Sequence, residues 1–304
     1  MRKPNFFIVG APKSGTTALY HYLKLHPDIF LPEVKEPHFF GADLYFKKNW
    51  YNNDEHQYLS YFEGAKNEKR VGEASTSYLY SLRAAEEIKK FSPKADIIII
   101  LRSPPDMMYS LHSEMLFDCR EDIHDFKKAL EAGKKDKKKN ISRRKNKRKW
   151  LYYRDAAKYS GQVKRYIDIF GPQKVHIIIF DDFIKDTERE YAKVLEFLKV
   201  DKIKIDFNKI NTDTNTNPNK RARIWILQKF IEEPPSLLRT VSKYLIPQKT
   251  RYRFVKRATK LNTKYQPRVP LDNKLRQSLL KEFRPEIDRL GRLIHRDLSF
   301  WYKQ

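Results

Sequence analysis

The sequence predicts an α/β fold, a central parallel sheet flanked by helices on both faces and built as a single domain over residues 1–304. Three observations predict it. The runs NFFIVG, ADIIIILR and KVHIIIFDDF are short, apolar and rich in aromatic or β-branched residues, as buried strands are. Each alternates with an amphipathic segment of helical period. A glycine-containing turn lies between the first run and its helix.

The first strand ends at Gly10, and after the turn the segment TTALYHYLKLH sets Leu19, Tyr22, Leu23 and His26 at helical spacing. The second strand, Ala95 to Arg102, follows the helical SLRAAEEIKKF and leads into the helical DMMYSLHSEMLF. The third, KVHIIIFDDF, lies between the helical segments YSGQVKRYIDIFG and EREYAKVLEFLKV. Residues 133–149, GKKDKKKNISRRKNKRK, carry almost nothing apolar and read as an exposed basic insertion. NKINTDTNTNPNKRAR reads as loop, and the Trp/Leu/Ile stretch after it as helix up to EEPPS. The C-terminal segment reads as two helices interrupted around Pro285.

Sixty-three Lys and Arg against 38 Asp and Glu give a formal charge of +25, which favours phosphates, sulfates, carboxylated polymers or anionic lipid as partners. The single cysteine, Cys119, excludes an intrachain disulfide framework and a cysteine-built metal site, and predicts a reducing compartment. The N-terminal apolar run is too short for a signal peptide and ADIIIILR too short to span a bilayer, so the expectation is a cytoplasmic protein.

GAPKSGTT has the glycine spacing of a phosphate loop, at Gly10 and Gly15, which makes the fold P-loop-like. Its lysine is displaced. An ATPase loop places lysine directly after the second glycine, where this chain has Thr16; here the lysine is Lys13. The amides of residues 14 to 17 and the Thr16 and Thr17 hydroxyls still suit a phosphate at a helix N-terminus, with Ser14 and Gly15 forming the turn. Arg102 ends the second strand, and Ser110 follows eight residues on: a permanently charged fork and a hydroxyl beyond a carboxyl-terminal strand edge.

GAPKSGTT resembles the 5′-phosphosulfate loop of the sulfotransferases that use 3′-phosphoadenosine 5′-phosphosulfate (PAPS). That resemblance implies a PAPS donor, a 3′-phosphoadenosine 5′-phosphate (PAP) product and no metal, with Arg102 and Ser110 on the 3′-phosphate. The segment LPEVKEPHFFG resembles the base-bearing segment of heparan sulfate glucosaminyl N- and 3-O-sulfotransferases, which implies Glu36 as catalytic base and Lys13 as the group stabilising the leaving phosphate. Lys35 and His38 are the neighbours that could orient Glu36, with partial burial expected to raise its pKa; Lys35 otherwise reads as a surface charge and His38 as a packed core residue. Gly41 and Ala74 stand where the 3-O-sulfotransferases have an acidic residue and a lysine, so glucosamine 3-O-transfer is not implied. Ser77 and Tyr78 read as pocket residues. LNTKYQPRVPLDNKL sits where relatives place a basic loop over the nucleotide, but lacks their Lys-Gly pair; Lys264 and Arg268 are its candidate contacts.

The implied acceptor is a carbohydrate or another hydroxylated molecule, an anionic one included. The basic insertion is compatible with polyanion or peripheral membrane contact. No aromatic residue interleaves it before Trp150, Tyr152 and Tyr153, which argues against nucleic acid. A P-loop ATP-dependent kinase and a non-catalytic polyanion-binding protein are the competing readings. The first lacks its lysine, and the second leaves Lys13, Glu36, Arg102 and Ser110 unexplained.

Overall fold

The computed structural model describes residues 2–44, 54–138, 152–207, 219–232, 234–235, 245–246 and 248–303. In chain order the main elements are β1 (Phe6–Gly10), α1 (Thr16–Lys24), β2 (Ile29–Phe30), α2 (Glu55–Ser60), β3 (Arg70–Ala74), α3 (Ala84–Phe91) and β4 (Asp96–Leu101). There follow α4 (Pro104–Phe117), α5 (Phe126–Lys138), α6 (Tyr153–Ala156), α7 (Tyr159–Phe170), β5 (Val175–Ile179), α8 (Phe180–Lys185) and α9 (Thr187–Phe197). The chain ends through β6 (Asn219–Ala222), α10 (Trp225–Glu232), α11 (Gln248–Asn262), β7 (Thr263–Gln266) and α12 (Asn273–Leu293).

These residues group into two compact units. The first comprises Met1–Met107, Asp155–Thr214 and Asp272–Gln304; the second comprises Met108–Arg154 and Asn215–Leu271. The first holds a five-stranded sheet in the order β2-β3-β1-β4-β5, every pair parallel. Parallel neighbours require crossovers, and the helices supplying them cover both faces. On one face Phe6, Ile8, Ile98, Ile100 and Ile178 pack with Leu19 and Leu23 of α1 and Val194 and Leu195 of α9. The alternate residues Phe7, Val9, Ile97 and Ile99 point the other way and are equally buried. There α7 touches β4 and β5, and α3 and α12 pack on α7. Each such side chain contributes about 1.5–3 kcal/mol by leaving water. The second unit contains α5, an antiparallel pair made by β6 and β7, and the contact of α10 with α11.

The three expected strands are present as β1, β4 and β5, and the expected helices as α1, α3, α4, α7, α9 and α10. Four details differ. The FDDF that closes the third run is helix α8, which Asp181 and Asp182 suit because acidic side chains favour a helix's first turn. Strands β2, β3, β6 and β7 are additional to the expected ones, and β6 lies in NKINTDTNTNPNKRAR, which reads as loop and of which residues 208–218 lie outside those described; pairing with β7 makes it a strand. The basic insertion begins inside α5, which continues to Lys138, while residues 139–149 lie outside those described. Pro285 does not divide the C-terminal segment: α12 runs through it. Proline removes one hydrogen bond there, whereas Leu279, Leu280, Phe283, Ile287 and Leu290 on both sides of it are buried along one apolar face that holds the helix together.

Candidate active site

Parallel strands end on a common edge, and that edge carries the candidate site. After β1 the chain turns through Lys13, in the left-handed region at φ 59°, and Gly15, at φ 90°, before α1 begins. A Cβ on Gly15 would stand 3.0 Å from the Phe180 ring, so glycine is required for space as well as for conformation. The first turn of α1 holds no acidic residue, and no side chain caps it. Its backbone N–H groups therefore form an anion cradle. Ser14 and Thr16 are buried beside it, and the Ser14 hydroxyl donates to the Pro12 carbonyl at 3.3 Å. Gly15 immediately precedes α1, and Thr16 and Thr17 are its first two residues.

Arg102 follows β4. It donates to the Lys13 carbonyl at 3.3 Å and lies over the Phe180 ring at 4.7 Å, so Phe180 bridges the loop and the arginine. Burial pulls the Arg102 pKa down, against the opposing pull of Asp106 and Asp181. Among the described residues Arg102 has no ion-paired carboxylate. Asp106, four residues on, is instead held by both guanidinium nitrogens of Arg276, at 2.6 and 3.1 Å. Two buried hydroxyls of the same unit, Ser103 Oγ and Tyr159 OH, lack a hydrogen-bond partner among the described residues. A desolvated cation with unsatisfied donors nearby is an arrangement that an oxyanion completes.

Ser110, Lys264 and Arg268 belong to the second unit. Ser110 lies on α4, fully buried, and its hydroxyl too has no partner among the described residues. Arg268 stacks over Tyr109, the residue before Ser110, at 5.7 Å, and the Tyr109 hydroxyl donates to the Val269 carbonyl at 2.9 Å. Lys264 is exposed on β7, opposite Arg221.

Glu36 lies on the same strand edge, its backbone N–H bound to the Ala74 carbonyl at 2.9 Å where β3 ends. Its Oε1 accepts from Lys35 Nζ at 2.8 Å and Thr76 Oγ1 at 3.2 Å, and its Oε2 is 3.7 Å from His38 Nε2. The His38 Nδ1 meets Ser77 Oγ at 3.3 Å. The expectation of a raised pKa is not met. Burial alone would raise it, but the charge of Lys35, then that of His38, and the hydrogen bonds from Lys35 and Thr76 bring it down to about 2. Glu36 is thus ionised at neutral pH. Lys35 is correspondingly no ordinary surface charge, its side chain being 17% exposed and turned onto Glu36. The His38 ring faces the Glu36 carboxylate with its side chain 24% exposed, whereas Phe39 and Phe40 pack with Tyr58 and Phe91.

Two parts of the site were missed in the sequence. Phe180 was assigned to a strand interior, although its position just beyond a buried parallel strand is the signal that could have found it. Glu73, fully buried on β3, accepts from Tyr58 OH and Ser75 Oγ, both at 2.6 Å, and burial pushes its pKa up to about 7.

Comparison with known proteins bears on the fold and the family. A family model described as a sulfotransferase domain matches residues 3–226. The crystal structure of a sulfotransferase from Alicyclobacillus acidocaldarius superimposes with a TM-score of 0.70 at 28% identity, over 99% of each chain. The human bifunctional heparan sulfate N-deacetylase/N-sulfotransferase 3 is 36% identical over 111 residues, which is 36% of this chain and 13% of that protein. The membrane-associated sulfotransferase kil1 of Dictyostelium discoideum is 21% identical across 79% of this chain and 65% of its own length. Among the described residues no helix is long and apolar enough to cross a membrane.

Proposed function

The chain belongs to the sulfotransferase domain family, and from that premise we propose that it is a PAPS-dependent sulfotransferase acting on a hydroxyl or amine of a carbohydrate. The donor supplies an activated sulfuryl group; an acceptor O–S or N–S bond forms as the phosphate O–S bond breaks, and PAP leaves. The α1 amides with Ser14, Gly15, Thr16 and Thr17 hold the 5′-phosphate. Lys13 neutralises the charge that gathers on it as the bond breaks. Arg102 and Ser110 take the 3′-phosphate, with Lys264 and Arg268 as further nucleotide contacts. Glu36 accepts the acceptor's proton, oriented by Lys35 and His38.

The observation that carries this reading is Arg102, a desolvated guanidinium without an ion-paired carboxylate among the described residues, hydrogen-bonded to the Lys13 carbonyl of the glycine-containing loop. A carbohydrate acceptor is supported by the names of relatives such as the heparan sulfate enzyme. A reducing, cytoplasmic setting is supported by Cys119, the single cysteine of the chain, which can form no intrachain disulfide.

Calorimetric titration with PAP, beside ATP and the Arg102→Ala variant, tests the donor. PAP binding that is absent for ATP and lost in the variant supports the proposal and leads to an acceptor screen with PAPS. Equal binding of ATP, or no binding of either nucleotide, overturns it.

A further inference from the structure

Helix α10 is amphipathic the wrong way round for a helix in water. Its sequence is WILQKFIE, and the side chain it buries is Gln228. Ile226 and Phe230, which lie across the helix from Gln228, are exposed, Ile226 to 74%. Hydrogen bonds to the last residue of α11 account for the inversion. The Asn262 side-chain amide donates to Gln228 Oε1 and to the Ile224 carbonyl, both at 3.1 Å, and its oxygen accepts from the Ile224 N–H at 3.0 Å. Polar groups thus anchor α10 to α11, and apolar ones face outward.

Helix α11 continues the pattern. Phe254 and Leu261, two turns apart on one line of the helix, are 74% and 78% exposed, with Arg257 between them and Lys260 alongside. On α10, Trp225 and Leu227 are exposed on either flank, so the flank on the side where α11 shows Phe254 and Leu261 is apolar too. The charge around these side chains has one sign. Residues 219–271 hold 14 Lys and Arg against Glu232 and Glu233, and Lys229 Nζ lies over the Trp225 ring at 5.2 Å.

We propose that α10 and α11 form a peripheral docking surface for an anionic phospholipid bilayer, with the apolar side chains at the headgroup–acyl boundary and Lys229, Arg257 and Lys260 on the lipid phosphates. Charge complementarity selects this partner. A second copy of the chain would bring one strongly basic surface against another. An anionic polysaccharide would pair the charges but leave Ile226, Phe230, Phe254 and Leu261 in water. A bilayer interface takes both kinds of group at once, and aromatic and long basic side chains are the ones that settle there. The proposal stands apart from the sulfotransferase reading, because none of these side chains is assigned to the nucleotide or to the acceptor.

The test is co-sedimentation of the whole chain with vesicles of phosphatidylcholine and of phosphatidylcholine mixed with phosphatidylserine. Binding to the mixed vesicles, weakened by salt and absent for phosphatidylcholine alone, is expected. Ile226→Ser/Phe254→Ser keeps the net charge and should bind about 100-fold more weakly, and Arg257→Gln/Lys260→Gln about 30-fold more weakly. If the serine variant binds as the wild type does, charge alone draws the chain to the vesicles as to any polyanion, and the proposal is overturned. A wild type that ignores the mixed vesicles overturns it too, and a dimer that the serine variant dissolves would then assign the face to a second copy. Tryptophan emission supplies a readout with a milder change: brominated lipid in the mixed vesicles should quench it, and Trp225→Phe should remove most of that quenching. Thermal melting checks that each variant is folded; if the serine variant is not, quenching decides, and its absence overturns the proposal.

Discussion

The Lys35 ammonium donates to Glu36 Oε1 at 2.8 Å, so the group read as the base is held by its own sequence neighbour. A carboxylate paired in this way stays ionised but is a weak base. Approach of an acceptor hydroxyl must compete with Lys35, and displacing that ammonium returns basicity to Glu36 when the proton has to move. Glu36→Gln should therefore lower transfer by about 10²–10⁴-fold and leave PAP affinity unchanged, with steady-state kinetics and calorimetry as the two measurements. Loss of both together would mean that Glu36 serves the nucleotide instead.

Removing the partner should move the titration. In Lys35→Met the Glu36 carboxyl midpoint, followed by carbon NMR, should rise from about 2 by at least about one unit. The stability consequence has a definite sign. The folded pKa lies below the ordinary 4.5, so the interaction is fully present above that pH and is lost as pH falls toward 2. Chemical denaturation across that window should show a shallower acid loss in Lys35→Met.

Glu73 has the opposite sign in a separate window. Its folded pKa of about 7 lies above the ordinary 4.5, so the native state holds the proton more tightly than the unfolded chain does. Between those values stability falls as pH rises, by about 3 kcal/mol in all. Glu73→Gln cannot titrate, and its denaturation midpoint should lack that decline. An unchanged pH slope in the variant would assign the decline to other groups.

The sequence made the outline of this fold legible and left part of the site hidden, for one physical reason. Strands β1 and β4 are buried on both faces and edge strand β5 partly so, and all three are nearly continuous apolar runs. Strand β3 reads RVGEA and its last four residues are just as interior, yet Gly72 is there because the Phe6 ring covers it, and Glu73 because the Tyr58 and Ser75 hydroxyls receive it. Neither residue looks like a strand until its partners are placed. The same holds for Lys35, whose role is set by a backbone turn at Glu36 that no local pattern announces. Gly10, Lys13, Gly15 and Arg102 can be read as a candidate phosphate site because such a site is local in sequence, confined to a strand end and the helix that follows.

Arg102 should trade stability against binding. Replacing this part-buried cation, which among the described residues has no ion-paired carboxylate, with methionine removes its desolvation cost, so the ligand-free Arg102→Met protein should melt a few degrees higher, roughly the effect of 1 kcal/mol. PAP affinity should drop about 100-fold in the same variant. Thermal melting with and without PAP measures both, and a lower melting temperature in the ligand-free variant would show that Arg102 is structural.

The Arg276–Asp106 pair makes the last prediction. Its two bonds, at 2.6 and 3.1 Å, occupy the carboxylate that already acts electrostatically on Arg102. Arg276→Ala releases that carboxylate one helical turn beyond Arg102, where the desolvated guanidinium is the strongest available partner. PAP would then have to displace an internal ion pair, so its affinity should fall about tenfold although Arg276 itself need not touch the nucleotide. The double variant Arg276→Ala/Asp106→Asn, with the competing charge gone, should recover most of that loss. Calorimetry on the two variants separates competition from contact: recovery assigns Arg276 the task of keeping Asp106 away from Arg102, and no recovery makes Arg276 a nucleotide contact.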